Sequence, residues 1–280
     1  MTYIKKPDWL KIKFESNDQY SRVHNIVKEK HLNTICSSGR CPNMSECWNR
    51  GTATFMIGGE ICTRACKFCN TLTGRPLALD PNEPIHIAQS IQLMNLHHAV
   101  ITSVDRDDLP DGGAIHWAET IRIIKSVNPA CTLEVLIPDF DGKTELIHLI
   151  INEKPDIISH NLETVRRLTP LIRTKAKYDT SLNVLSYIVA QGIRAKTGIM
   201  LGLGETEEEV LQLMDDTLQT GCRILTIGQY LQPSRRNIAV SAYIHPDKFE
   251  EYKQIAFLKG FRFVESGPFV RSSYHAEKHI

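Results

Sequence analysis

From residue 54 onward, short apolar runs rich in β-branched residues alternate with longer segments whose apolar positions recur every three to four residues. The short runs fall at residues 54–57, 99–104, 132–137, 156–159, 195–201 and 224–230. Their near-continuous apolarity predicts strands buried on both faces. The longer segments, at 85–96, 114–126, 143–153, 162–173, 181–191 and 205–220, predict helices. A last helix over 247–258 opens on the capping pair Pro246-Asp247. Residues 1–52 read as polar and irregular, with one amphipathic run near 20–30. Repeated strand-then-helix units imply a parallel sheet with right-handed crossovers. Six units fit either a partly open (β/α) barrel or a doubly wound sheet, and in both ligands gather at the carboxyl ends of the strands. No repeat, low-complexity tract or linker interrupts the chain. It divides into an N-terminal extension (1–52), one barrel (53–260) and a C-terminal extension (261–280).

Composition narrows the class without naming the chemistry. The 280 residues are 42% hydrophobic and 23% charged, as in ordinary soluble proteins. With 33 basic against 32 acidic residues the net charge is +1. A nucleic-acid partner is therefore not expected, because phosphate binding calls for a basic surplus. No run reaches the roughly 20 apolar residues of a membrane span. The first 14 residues have neither the apolar core of a secretory signal nor the Arg/Ser-rich, acid-poor character of an organelle leader. A cytoplasmic, reducing location is expected, where clustered cysteines serve as metal ligands more often than as disulfides.

Six of the eight cysteines lie close together, in two sets of three: Cys36-x4-Cys41-x5-Cys47 and Cys62-x3-Cys66-x2-Cys69. Three thiolates can hold three irons of a cubane and leave the fourth open, so two sets suggest two clusters. Zinc is the rival reading. Structural zinc prefers four ligands in paired knuckles, and only Cys66-x2-Cys69 forms one. Cys131 and Cys222, near strand starts, read as small core hydrophobes. His97, His98 and His148 read as surface or satisfied core residues.

The second set, with Phe68 before its last cysteine, resembles the signature of the radical S-adenosylmethionine superfamily. The rarer first set and the tail Gly267-Pro-Phe-Val-Arg271-Ser-Ser-Tyr274 resemble the lipoyl synthase family within it. That likeness runs from Lys6-Pro-Asp-Trp-Leu10 through Ser103-Val-Asp-Arg-Asp-Asp-Leu109, Asp111-Gly-Gly113, His160-Asn-Leu-Glu-Thr-Val165, Gly202-Leu-Gly-Glu205 and Gln229-Tyr-Leu-Gln-Pro-Ser234, nearly the whole chain. It implies a partial (β/α)6 TIM-type barrel with N- and C-terminal extensions. It implies two [4Fe-4S] clusters, one on Cys62, Cys66 and Cys69, the other on Cys36, Cys41, Cys47 and a tail serine. Ser273 is the expected serine and Ser272 the alternative. The first cluster's open iron would chelate S-adenosylmethionine, whose reductive cleavage yields a hydrogen-abstracting 5′-deoxyadenosyl radical. The second would be the consumed sulfur source, with the serine as its detachable ligand.

The loops after the strands supply further candidates. Ser103 and Asp105 follow the second strand and could receive the amino group or ribose of S-adenosylmethionine, or simply be solvated. Asn161 and Glu163 follow the fourth and could bind ribose and polar cofactor atoms; Asn161 or Thr164 could equally cap a helix. Lys196, within the fifth strand, could pair with the cofactor carboxylate or snorkel outward. Gly202 belongs to a glycine stretch from Gly198 to Gly204 suited to close approach of adenine, or to a turn. Gln229 and Gln232 could line the substrate pocket or be plain loop residues.

The implied activity is sulfur insertion at carbons six and eight of an octanoyl chain on a carrier lysine. The implied carriers are the acyltransferase subunits of 2-oxoacid dehydrogenases and the glycine cleavage H protein. A flavodoxin or ferredoxin would deliver electrons, and an iron–sulfur carrier would rebuild the spent cluster. Competing readings are a radical sulfur inserter acting on a small molecule or RNA, and a zinc-stabilised interaction module. Two departures from the usual family form stand out: Ser37-Ser38-Gly39 replaces a commonly acidic stretch, and the chain is short.

Overall fold

The computed structural model describes residues 5–12 and 15–279. The reading of the first 14 residues as no leader falls partly on 1–4, 13 and 14, which lie outside the described residues. Seven parallel strands follow one another in chain order: β1 (Thr54–Ile57), β2 (His98–Ser103), β3 (Thr132–Leu136), β4 (Ile157–Ser159), β5 (Arg194–Leu201), β6 (Ile224–Gln229) and β7 (Phe263–Gly267). The two-residue segment Asn33–Thr34 pairs antiparallel with β1, so the sheet curls between this edge and β7 without closing. This is the partial TIM-type barrel expected from the alternation of apolar runs and helix-period segments.

The strands form where β-branched residues cluster, and β1 and β6 are buried at every position, as both-face burial requires. Helices α1 (Asp18–Glu29), α2 (Ile35–Ser38) and α3 (Met44–Asn49) precede the barrel. Its outer layer is α4 (Glu83–Leu93), α5 (Ala114–Val127), α6 (Thr144–Asn152), α7 (Thr169–Ile172), α8 (Tyr178–Ala190), α9 (Glu207–Gln219) and α10 (Pro246–Lys259). Helix α9 begins with a reciprocal capping box, in which Glu209 N donates to Thr206 Oγ1 at 3.3 Å and Thr206 N to Glu209 Oε2 at 2.9 Å. One continuous core joins Phe55, Ile101, Leu133, Ile158 and Leu225 of the strands to Ile91, Trp117 and Ile121 of α4 and α5. Cys131 and Cys222 are buried within it. Among the described residues no helix is long and apolar enough to cross a membrane.

Three expectations change. The tail after Gly260 does not merely lie on the barrel: β7 enters the sheet parallel to β6. The predicted helix over 162–173 is mostly irregular, with only the single turn α7, where Pro170 sits in the first turn. The N-terminal extension, read as irregular, contains the two short helices α2 and α3 that carry Cys36 and Cys47.

Candidate active site

Strand β1 leads through Gly58 and Gly59, both at positive φ, into Ile61–Cys62, which pairs with Leu72–Thr73. Between these short strands loop Cys62, Cys66 and Cys69, and the loop is stitched down on several sides. Lys67 N donates to the Ile172 carbonyl at 2.8 Å, and Ile238 N to the Lys67 carbonyl at 2.9 Å. Asn237 Nδ2 donates to the Cys69 carbonyl at 2.7 Å. Arg64, buried inside the motif, forks onto Asp107 at 2.8 and 2.9 Å and reaches Asp139 at 2.8 Å and Asp105 at 3.3 Å. One guanidinium thus ties the cysteine loop to the ends of β2 and β3. Burial would raise the Asp107 carboxyl, but hydrogen bonds from Arg64 and Lys175 hold it well below the usual carboxylate range. At Asp105 burial wins over the attraction of Arg64 and the carboxyl is raised.

The other three cysteines sit on α2, the following turn and α3. Thr34 caps α2 by accepting from Ser37 N at 3.3 Å, and Cys41 N donates to the Cys36 carbonyl at 3.0 Å. The tail closes over them. Asn43 Nδ2 donates to the Phe269 carbonyl at 2.7 Å, Tyr274 Oη to Glu46 at 3.2 Å, and Arg50 pairs with Glu277 at 3.2 Å. Ser273 Oγ accepts from Thr54 Oγ1 at 2.9 Å.

Two cavities adjoin here. One, of about 350 Å³, is lined by Cys62, Cys66 and Cys69 and also by Cys36 and Cys41. The other, of about 260 Å³, is lined by Cys36, Cys41 and Cys47. Ser273 and Arg271 line both. Ser272 lines only the larger, where its hydroxyl accepts from Asn161 Nδ2 at 2.7 Å. The two tail serines therefore have different partners, Thr54 for Ser273 and Asn161 for Ser272.

Ser103, Asp105, Asn161 and Glu163 all line the larger cavity. Trp117 Nε1 donates to Ser103 Oγ at 3.2 Å, and Asn161 Nδ2 to Glu163 Oε1 at 3.0 Å. Asn161 Oδ1 is buried without a partner. No helix starts at Asn161 or Thr164, so neither acts as a cap. Glu163 stands at φ +66°, a left-handed position costly for a side-chain-bearing residue, and burial raises its carboxyl.

Lys196 and Gly202 fall elsewhere. Lys196 is buried in the sheet and neither lines the cavity nor snorkels; its ammonium is held by both Glu134 oxygens, at 2.9 and 3.0 Å. A lysine with its charge thus satisfied has no need of a cofactor carboxylate. Gly202, at φ +93°, is outside the cavity lining; a Cβ there would come within 2.2 Å of Gln229 Nε2 and 2.4 Å of the Ala242 carbonyl, so close packing explains the glycine. Its neighbours Gly198, Ile199 and Met200 do line the cavity. Gln229 is buried and donates to the carbonyls of Leu201, Tyr230 and Ala242, while Gln232 donates to that of Asn237. Both bind backbone carbonyls and neither lines the cavity.

Among the cavity residues that escaped the sequence reading are Arg64, Asp139, His160 and Arg271. Arg64 lies within the cysteine motif and Arg271 within the tail motif, so position alone flagged them. His160 is wholly buried between the Ile137 carbonyl at 2.9 Å and Ser181 Oγ at 3.0 Å, and burial lowers it to about 4. Nothing in the local sequence announces that environment.

The residues present suit iron–sulfur clusters. All eight cysteines are free thiols. Burial, then mutual repulsion, pushes Cys41 up to about 11 and Cys47 to about 12; burial, then Asp105, pushes Cys62 to about 12. Such crowded thiols ionise only for a strongly cationic guest. Cys62 Sγ already accepts N–H bonds from Arg64 at 3.4 Å and Asp105 at 3.3 Å, and Cys69 Sγ from Thr71 at 3.5 Å. Donors of this kind tune cluster thiolates. Among the described residues no group of three or more His, Cys, Asp or Glu is arranged to hold a single metal ion.

Comparison with known proteins agrees. The profile of the Radical SAM superfamily matches residues 56–217. A lipoyl synthase of Parabacteroides distasonis is 66% identical over 278 residues, covering 99% of both chains. One of Phocaeicola vulgatus is 66% identical over 280 residues, covering 100% of this chain and 99% of its own. In structure, the FeFe-hydrogenase maturase of Carboxydothermus hydrogenoformans shares the fold, with TM-score 0.61 at 14% identity over 86% of this chain and 63% of that one. Cysteine spacing, barrel and full-length identity converge, and the chain belongs to the lipoyl synthase family of the radical S-adenosylmethionine superfamily.

Proposed function

We propose that this chain inserts two sulfur atoms, at carbons six and eight, into an octanoyl group amide-linked to a carrier lysine, consuming two S-adenosylmethionine molecules per lipoyl product. The observation that carries the reading is the pair of adjoining cavities, each opening on its own cysteine trio and sharing Cys36, Cys41 and Ser273. In this assignment Cys62, Cys66 and Cys69 hold the reducing [4Fe-4S] cluster, and Cys36, Cys41, Cys47 and Ser273 the sacrificial one. Bound there, the clusters and S-adenosylmethionine supply reductive cleavage, hydrogen abstraction and the inserted sulfur.

The chain's own residues bind, orient and exclude water. Ser103, Asp105, Asn161 and Glu163 offer polar atoms beside the second trio for the cofactor's amino, carboxylate and ribose groups. Lys196 and Gly202 have no part. Leu136, Ile137, Ile199, Met200, Leu231 and Val270 give the same cavity an apolar wall suited to an octanoyl chain. Arg64 fixes the cysteine loop against three strand-end carboxylates, which restricts its motion during reaction. Ser273, held by Thr54, contributes a hard oxygen beside soft thiolates and is the donor best suited to let go.

The substrates are octanoylated lipoyl domains of the 2-oxoacid dehydrogenase acyltransferases and the glycine cleavage H protein. A flavodoxin or ferredoxin delivers electrons, an iron–sulfur carrier restores the spent cluster, and the work is done in the cytoplasm. The test is anaerobic incubation of reconstituted protein with reductant, S-adenosylmethionine and an octanoylated carrier peptide, followed by mass spectrometry. The expected product carries two added sulfurs. Cofactor cleavage with no sulfur gained by the peptide would refute the assignment.

A further inference from the structure

We infer that the lip of the larger cavity is a docking face for an acidic surface of the domain that presents the octanoyl-lysine; this rests on the function proposed above. Among the described residues lining that cavity, Arg40 is the exposed one, which places the opening beside it. Three segments build the lip and are bonded to one another. Arg40 Nη1 donates to the Pro233 carbonyl at 3.0 Å, Asn70 Nδ2 to the Ser38 carbonyl at 2.8 Å, and Asn237 Nδ2 to the Cys69 carbonyl at 2.7 Å.

The charge on these segments is one-sided. Residues 37–42, 62–76 and 231–240 contain no Asp or Glu, in a chain with 32 of them. They carry Arg40, Lys67, Arg75, Arg235 and Arg236, all exposed. Elsewhere on the surface Arg122, Arg166, Arg167, Lys248 and Lys259 are paired with carboxylates. Among the described residues none of the five lip cations is in an ion pair. Leu72, on the 62–76 segment directly after the cavity residue Thr71, is 61% exposed and offers an apolar contact point. Exposed, unpaired cations beside an exposed apolar side chain are how a surface steers and seats a partner of opposite charge. The acyl-lysine must pass through this opening for its chain to reach the cavity, so its carrier has to rest on the lip. That geometry selects the carrier, rather than the electron donor, as the occupant.

The test compares two substrates under chemical reduction with dithionite, which takes the electron donor out of the measurement. They are a complete octanoylated carrier domain and a neutral tripeptide with a central octanoyl-lysine. In the variant Arg235→Glu/Arg236→Glu, kcat/KM for the domain is expected to fall about ten-fold or more through KM, with the tripeptide rate unchanged. Binding of the octanoylated domain, measured by calorimetry, should weaken to match. Arg75→Glu, on another segment, should act in the same direction, and added salt should weaken wild-type binding to the domain but not turnover of the tripeptide. Equal losses on both substrates, or no loss on either, would overturn the inference. So would a defect seen only when a protein electron donor replaces dithionite. If the wild-type protein adds sulfur to neither substrate, the proposed function itself fails, and the inference with it.

Discussion

Replacing Glu134 by Gln leaves the Lys196 ammonium inside the barrel without its counter-charge. A buried pair broken on one side costs about 3–5 kcal/mol, so the urea midpoint of the cluster-free protein should drop sharply. An unchanged midpoint would mean that the pair relaxes into solvent. Sequence reading left Lys196 divided between cofactor and surface because its partner lies 62 positions away, on another strand. Ser273 makes the complementary test. Ser273→Cys should still hold about eight irons per chain on anaerobic analysis yet slow sulfur insertion, because a thiolate grips iron harder than an alkoxide does. Full turnover in that variant would remove the detachable role. The preference for Ser273 over Ser272 came from the family motif; Ser273 accepts from Thr54 and Ser272 from Asn161.

At the scale of elements, the crossing of the tail over β6 is the tightest fit. A Cβ on Gly228 would come within 2.1 Å of the Val270 carbonyl, and backbone does not yield cheaply. Gly228→Ala should therefore lift the tail, and iron analysis should fall from about eight toward about four per chain as the site proposed on Cys36, Cys41, Cys47 and Ser273 empties. Undiminished iron would show that the tail adapts. The six central strands and most helices were legible because apolar period and turn residues agreed with tertiary placement. Strand β7 was not, because Phe263–Gly267 mixes Glu, Ser and Gly into a short run and is set by its neighbour β6 rather than by its own pattern. The helix expected over 162–173 gave way to backbone bonds from Glu163 to β5, where Met200 N donates to the Glu163 carbonyl at 2.9 Å.

For the whole molecule, acidity acts on several buried groups, His160 and His279 among them. Burial depresses the folded value of His160 to about 4, against about 6.5 in an unfolded chain. The unfolded chain therefore takes up a proton first. Stability is full above about 6.5 and is lost as pH falls toward 4, by on the order of 3 kcal/mol. Urea unfolding of the cluster-free protein across that window should show this loss, and His160→Gln should make it shallower; an identical slope would assign the effect to other groups such as His279. The cysteine trios were readable because their ligands are close in sequence. The cavity that unites them was not, since Arg64 meets Asp139 and Thr54 meets Ser273 only after the barrel has formed.

That last contact spans 219 positions. During synthesis the six cysteines leave the ribosome early, while the hydroxyl proposed to complete the first trio is made only after β7. On the proposed assignment a nascent chain presents the first trio's thiols without a finished socket, and loading of that cluster waits for the sheet to be assembled through its last strand.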